Sequence, residues 1–196
     1  KVTIMHSAFE RSGQEDNSFD LVIGNVPFGD YKMNDPDYTK DWLIHDAFFR
    51  KALDKVAAGG VVAFVTSSGT LDKKNSKVRE YLAEKAELIG AIRLPNTAFA
   101  DAGTGVTSDI IFLQKRQEPL SPDAPKPDWC YVAQISEDDP NMRINSYFVQ
   151  NPQMMLGTMR KTSHFDRLTC GAVTKYLKGT NENLFSVGDG TSYIDD

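Results

Sequence analysis

Residues 19–24, with the sequence FDLVIG, lead directly into Asn25-Val26-Pro27-Phe28. The apolar run predicts a buried strand, and the Asn and Pro residues that follow predict a turn. Open α/β sheets bind their ligands at the carboxyl ends of their strands. The junction therefore predicts an α/β fold with a binding site at this turn.

The four turn residues suit a flat heterocycle that carries an exocyclic amine. The side-chain oxygen of Asn25 can accept one amine hydrogen, and a main-chain carbonyl of Val26 or Pro27 can accept the other. Two acceptors would keep the nitrogen lone pair from delocalising fully into the ring. Phe28 can stack on a base that has left its helix. An Asn-x-Pro sequence after a strand is also an ordinary turn, so these residues alone leave both interpretations open.

Composition and charge narrow the class of protein. The 196 residues are 40% hydrophobic and 25% charged, which is typical of a globular domain with a real core. No run is long enough to span a membrane. The net charge of −5 argues against a general nucleic-acid-binding module. It leaves room for an enzyme that meets DNA through one local patch.

The cysteines and histidines indicate neither a disulfide framework nor a metal site. Cys130 and Cys170 are far apart in sequence, which predicts a reducing cytoplasm as the location of the protein. The three histidines are isolated and lack ligand spacing, so no metal is expected: His6, His45 and His164.

Hydrophobic periodicity predicts a βαβαββ order of elements up to Lys115. One more short strand is predicted before this series, at residues 2–5. Prolines among polar residues at 116–128 predict an extended linker. Residues 129–196 are expected to form a small irregular C-terminal extension of unknown role. The predicted later strands are 19–24, 61–65, 88–94 and 109–114, with helices through 42–56, ended by Gly59-Gly60, and through 76–87.

Residues 1–115 resemble, in order, part of a known enzyme family. The chain is similar to the C-terminal part of the catalytic domain of an N6-adenine DNA methyltransferase, of the kind in type I restriction-modification subunits and methylase–helicase fusions. Asn25-Val26-Pro27-Phe28 resembles the Asn-Pro-Pro-aromatic catalytic motif of this family, with Val26 in place of a Pro. The other similar segments are 57–66, 69–82, 92–99 and 107–115.

The resemblance implies a Rossmann-like S-adenosylmethionine-dependent methyltransferase sheet that acts on a flipped adenine. Asn25 and the backbone near Pro27 would hold the amine, and Phe28 would stack on the base with Phe99 nearby. Phe9 would line the pocket for the adenine of S-adenosylmethionine. The implied partners are DNA, fused or associated helicase or restriction domains, and specificity domains.

Two departures concern the methyl donor. The family has a Gly-rich donor loop after its first strand, whereas the first glycine here is Gly13. The family also has an acidic residue before the donor-pocket Phe, and Ala8 stands in its place. The sheet is therefore expected to lack its N-terminal strands, and the isolated chain is expected to be an inactive fragment of a larger protein.

The missing strands predict an open sheet edge. The family orders its strands three-two-one-four-five-seven-six, so losing strands one and two would leave residues 21–23 as an apolar edge. Such an edge invites pairing with another chain. We predict that residues 2–5 cover this edge or that the chain self-associates there.

A basic cluster follows the third predicted strand. Its functional interpretation is a patch that contacts DNA phosphates, and its ordinary interpretation is a solvated helix face. The members are Lys73, Lys74, Lys77 and Arg79.

Two alternative functions stay open at this point. The same fold and turn suit a methyltransferase for protein glutamine or for RNA guanine. The missing donor loop, Val26 and Ala8 are also compatible with a methyltransferase-like module that binds nucleic acid or serves as a scaffold without turnover.

Overall fold

The computed structural model describes residues 2–27, 29–38, 42–161, 168–172, 186–187 and 192–193. Within these residues, one four-stranded sheet has the order β1-β2-β4-β3. This order corresponds to four-five-seven-six in the family resemblance and confirms the predicted α/β sheet without its first strands. The strands are β1 Phe19–Asn25, β2 Val56–Ser67, β3 Ala86–Leu94 and β4 Ser108–Lys115.

The helices lie between these strands and in the C-terminal region. The helix α1 ends at Lys55, and Val56 enters β2 at once with extended backbone angles. Gly59 and Gly60 therefore lie inside β2, and the prediction that they end the helix was wrong. The helices are α1 Ile44–Lys55, α2 Gly69–Asp72, α3 Lys77–Lys85 and α4 Ser146–Gln150.

Short antiparallel strand pairs make up much of the described C-terminal region. They are β5 Val132–Gln134 with β6 Arg143–Asn145, β7 Thr158–Lys161 with β8 Leu168–Gly171, and β9 Ser186–Val187 with β10 Ser192–Tyr193. The Pro-rich residues 116–127 contain neither helix nor strand. The division into a catalytic domain, a linker and an extension stays a prediction.

The strands β1 and β2 pair in parallel, which places the end of β1 at a defined register. Leu21 is opposite Val61, and Asn25 is opposite Val65. A Cβ atom at Gly60 would lie 2.8 Å from the carbonyl oxygen of Asp20, so only glycine permits this approach of the two backbones. The register places Asn25 at the carboxyl end of β1.

The outer side of β1 is open in the described part of the chain. Residues 2–5 form no strand, so the prediction that they cover this edge was wrong. Their apolar side chains are instead exposed, with Ile4 at 90%. In β1, Leu21 is 53% exposed and Ile23 is 73% exposed. Self-association through this edge stays a prediction.

The chain divides into two compact units, each made of several segments. The first unit comprises Lys1–Thr66, Asn75–Gly90 and Ile111–Pro127, and the second comprises Ser67–Lys74, Ala91–Ile110 and Asp128–Asp196. In the first unit, the rings of Phe49 in α1 and Phe64 in β2 pack edge to face, with their centroids 5.1 Å apart. Among the described residues, no helix combines the length and the apolar character that a membrane crossing requires.

Candidate functional site

The predicted turn leaves the sheet directly after Asn25. The Val26 N–H donates to the carbonyl oxygen of Val65 at 3.0 Å, which extends the β1–β2 pairing by one residue. The Asn25 side chain is exposed and makes no hydrogen bond to any residue that the structure describes. Its amide is therefore available for a ligand at the carboxyl end of the strand. Phe28, the predicted stacking residue, lies outside the described residues.

Val26, which stands where the family motif has Pro, has a structural role in this turn. Its side chain is buried at 3% exposure, and its N–H is used in the bond to Val65. A proline at this position would have no N–H to donate. The hydrogen bond and the buried side chain hold the turn against β2.

The loop after the turn packs onto the start of α1. Met33 and Tyr38 form a buried cluster with Ile44 and Ala47. The Ile44 N–H donates to the carbonyl oxygen of Tyr31 at 2.8 Å, which fixes the loop at the first residue of the helix. The described part of this loop, residues 29–38, is thus held close to α1.

Tyr38 is held in this loop as a neutral phenol. Burial and a hydrogen bond to Asp54 raise its pKa above the ordinary value of tyrosine. The guanidinium of Arg50 lies 5.5 Å from the centre of the Tyr38 ring and 5.6 Å from that of Tyr81. These contacts favour a packing role for Tyr38, whereas Tyr31 is 53% exposed.

Lys51 of α1 joins the loop to the segment before β1. Its buried ammonium group donates to the carbonyl oxygen of Glu10 at 2.8 Å and to the carboxylate of Asp35 at 2.9 Å. It also lies 5.0 Å from the Tyr38 ring centre and 5.7 Å from that of Phe9. One cation therefore positions both segments that flank β1.

The pair between Lys51 and Asp35 gives a testable dependence of stability on pH. The hydrogen bond from Lys51 lowers the pKa of Asp35 below its ordinary value of 3.8. The stabilisation is therefore complete above pH 3.8 and is lost as the pH falls through the lower pKa of the folded state. We expect Asp35→Asn to lower the free energy of unfolding by about 1.5–3 kcal/mol at neutral pH.

Denaturant titrations at a series of pH values measure this effect. The difference between wild type and Asp35→Asn should shrink as the pH falls through the lowered pKa of Asp35. Asp30→Asn is the matched control, because Asp30 is an exposed residue of the same loop. A difference between wild type and Asp35→Asn that stays constant over the whole pH series would contradict the prediction.

Only part of the Phe9 ring is accessible to a ligand. Its half-buried ring packs against that of Phe48, with the centroids 5.0 Å apart and tilted by 41°. The preceding Ala8 is exposed and lines a shallow pocket with His6 and Ser7. The predicted contact of Phe9 with the donor adenine stays a prediction.

The remaining predicted residues divide between the two units. Phe99 is half-buried in the second unit, just before the 3₁₀ helix Ala100–Ala102, and its contact with a base stays a prediction. Lys74 and Lys77 are exposed, whereas Lys73 is half-buried. Arg79 is fully buried and has interaction partners, so its predicted role as a phosphate contact was wrong.

The sequence interpretation missed a buried ion network in the second unit. Arg93 forms a bidentate pair with Asp109, with both N···O distances at 2.8 Å, and contacts Asp72 at the same distance. Burial acts to lower the pKa of Arg93, but the two carboxylates outweigh it and raise the pKa, so the guanidinium stays charged. The guanidinium also stacks on Phe148, with 4.2 Å to its ring centre.

Asn145 connects this network to the rest of the second unit. Its backbone N–H donates to Asp72 at 2.9 Å. Its side-chain amide donates to the carbonyl oxygens of Leu71 and Trp129 at 2.9 and 2.8 Å. The only available sequence signal was an Arg and an Asp on two neighbouring predicted strands. Among the described residues, no group of His, Cys, Asp and Glu side chains could hold a metal ion.

Comparison with known proteins identifies similar sequences over most of the chain. A family model described as N-6 DNA Methylase matches residues 1–184. Defense against restriction protein B of Escherichia phage P1 is 34% identical over 113 residues, which are 56% of this chain and 5% of that protein. The Type I restriction enzyme EcoEI methylase subunit of Escherichia coli is 29% identical over 109 residues, which are 52% of this chain and 22% of that subunit.

A solved structure of the type I restriction enzyme EcoKI M protein is also similar. Its sequence identity is 18% and its TM-score is 0.40, and the match covers 71% of this chain and 31% of that chain. The chain thus spans less than a quarter of the length of the two curated relatives.

Proposed function

Because the chain belongs to the N-6 DNA methylase family, we propose that its Asn25 turn holds the exocyclic amine of an adenine in DNA during methyl transfer from S-adenosylmethionine. The observation that carries this proposal is the side chain of Asn25. It is exposed at the carboxyl end of β1 and has no hydrogen bond to any other described residue. Ligands of open α/β sheets bind at this end of the strands.

The turn would act on the amine by hydrogen bonding and positioning. The Asn25 side-chain oxygen accepts one amine hydrogen, and a main-chain carbonyl of Val26 or Pro27 accepts the other. The bond between the Val26 N–H and Val65 holds these acceptors in place. With the lone pair localised, the amine is a better nucleophile, and most of the rate comes from alignment.

The target adenine has to leave the DNA stack to reach this turn. Enzymes that modify bases in duplex DNA pay a few kcal/mol to unstack and unpair the nucleotide. Phe28 would recover part of this energy by stacking on the flipped ring. Proton loss from the methylated amine needs no dedicated side-chain base in this scheme.

The residues of this chain fit one part of a donor site. S-adenosylmethionine supplies an electrophilic methyl group when it is bound. Phe9 offers the part of its ring that is not packed on Phe48 as a wall for the donor adenine. Ala8 has no acidic group to bond to that adenine. We therefore propose that other donor contacts come from residues outside these 196, and that this chain alone does not turn over.

DNA is the partner that this function requires. The EcoEI relative is named as the methylase subunit of a type I restriction enzyme, and we propose that this protein likewise works with restriction or specificity subunits. A fused helicase domain and a cytoplasmic location, which the two distant cysteines favour, belong to the same proposal. These assignments are part of the proposal, because the chain spans a small part of its relatives.

A labelled methyl-transfer assay tests the proposal. Duplex DNA is incubated with S-adenosylmethionine and protein, and its nucleosides are analysed by mass spectrometry. We expect N6-methyladenine from a chain that contains these residues together with a complete donor site. We expect none from residues 1–196 alone, and no heat of donor binding in a calorimetric titration.

The assay distinguishes adenine methylation in DNA from the alternative functions. Methyl groups on guanine in RNA, or on a protein glutamine, would contradict the assignment of adenine as the substrate. N6-methyladenine made by residues 1–196 alone would contradict the proposal that the donor site is incomplete.

A further inference from the structure

A cavity of about 640 Å³ in the second unit has two exposed cationic side chains among its lining residues, Lys74 and Arg143. We propose that this cavity binds a phosphate group of the DNA backbone, with Lys74 and Arg143 as its charged contacts. The choice of DNA as the source of the phosphate rests on the proposed function. The lining also includes hydroxyl and amide groups from Ser68, Thr107, Asn141 and Thr169.

Thr107 joins two walls of the cavity. Its carbonyl oxygen accepts from the Ser68 N–H at 3.0 Å. Its hydroxyl oxygen accepts from the Cys170 N–H at 2.9 Å, and Cys170 follows the lining residue Thr169. Thr107 is itself 5% exposed. These bonds fix the segment after β2 and the strand β8 to the same residue, so the cavity is built before a ligand arrives.

Arg143 lies on the third wall, in the hairpin formed by β5 and β6. Its backbone is opposite Gln134 in the pairing, and its Nε donates to the carbonyl oxygen of Pro140 at 2.7 Å. Among the described residues, its two terminal amino groups have no hydrogen-bond partner. A guanidinium held at Nε with free terminal groups is suited to bonding phosphate oxygens.

The carboxylate of Asp72 also lines the cavity, but both of its oxygens are engaged. Oδ2 lies 2.8 Å from Arg93, and Oδ1 accepts from the Asn145 N–H at 2.9 Å. Arg93 carries one positive charge and pairs with both Asp72 and Asp109, so these three groups together keep one negative charge. The two cations Lys74 and Arg143 exceed this single negative charge, so the lining keeps a net positive charge, which favours an anion over a metal cation.

The size and exposure of the site favour a backbone phosphate. A volume of about 640 Å³ exceeds that of a phosphate ion and leaves room for the attached sugar. Both cationic residues are exposed, as contacts to a long external polyanion require. Phosphate contacts of this kind position a protein on DNA and carry no sequence information.

Fluorescence anisotropy with a labelled DNA duplex, measured over a series of salt concentrations, tests the proposal. We expect Lys74→Glu and Arg143→Glu each to weaken binding about tenfold at low salt. Each should also reduce the slope of log affinity against log salt by about 1. The matched control is Arg160→Glu, since Arg160 is an exposed arginine on a short strand of the same unit and does not line the cavity.

A conservative variant and a folding measurement separate charge from structure. Arg143→Lys keeps the charge and should retain most of the affinity. The thermal unfolding midpoints of all variants should match that of the wild type, because both side chains are exposed. Equal affinities for Arg143→Glu and Arg160→Glu would overturn the proposal, as would a wild-type chain that does not bind DNA.

The assay gives an answer that is independent of methyl transfer. If the cavity variants lose DNA affinity but no N6-methyladenine is ever formed, the phosphate site stands and the proposed activity fails. If adenine is methylated and the cavity variants bind DNA normally, the proposed activity stands and the phosphate site fails.

Discussion

Replacing Asn25 with alanine is expected to lower the rate of methyl transfer by about 10²–10³-fold, the usual effect of losing one preorganised hydrogen-bond partner. The loss should appear in kcat, because the acceptor matters most as the amine gains positive charge in the transition state. The stability of the chain should not change, since the Asn25 side chain is exposed and has no hydrogen bond to a described residue. The assay requires a chain with a complete donor site.

Asn25→Asp is the matched variant for this experiment. It keeps an acceptor oxygen at the same position and should retain more activity than Asn25→Ala. Donor affinity, measured by calorimetry, should be the same in both variants and in wild type. An Asn25→Ala enzyme with a rate within about threefold of wild type would contradict the role of this side chain.

The second large effect is expected at Arg93, in the interior of the second unit. Arg93→Ala should lower the free energy of unfolding by about 3–5 kcal/mol, because it leaves the carboxylate of Asp109 buried without its partner. Both residues are 0% exposed, so water cannot replace the lost bonds without opening the unit. The stack on Phe148 and the contact to Asp72 are lost in the same step.

Denaturant unfolding followed by circular dichroism measures this loss. Arg160→Ala is the control, because Arg160 is an exposed arginine in the same unit, and its effect should stay within about 0.5 kcal/mol. A double variant, Arg93→Met with Asp109→Leu, removes both charges and should recover much of the stability. An Arg93→Ala variant that loses less than about 1 kcal/mol would show that the network contributes little net stability.

Local patterns in the sequence were enough for the elements around the site. The apolar runs predicted β1 to β4 to within a few residues of their bounds, apart from the N-terminal extension of β2. Strand β2 begins at Val56 because the helix before it ends there, and no periodicity distinguishes the last turn of a buried helix from the start of a buried strand. The prediction of a short strand at residues 2–5 was wrong. A segment of four residues forms a strand only if a partner strand pairs with it, and local sequence does not show whether it does.

For the charged residues, local patterns in the sequence did not predict which side chains are buried. Arg79 and Lys77 belong to the same basic cluster in the sequence, yet one is fully buried and the other is exposed. Arg143 stood in a region with no assigned fold, and the hairpin and the pairing of β7 with β8 were needed to place it beside a cavity. Composition and spacing carry no signal for such positions.

The sequence by itself therefore determined the family, the strand and helix order and the location of the Asn25 turn. These depend on residues that are close together in the chain, such as an apolar run and the turn that ends it. Only the tertiary structure decided which cations are buried, how Arg93 pairs with Asp109 and Asp72, and which side chains surround the cavity. Those properties arise from contacts between distant segments, and the energy of a charge depends on whether its partners and water can reach it.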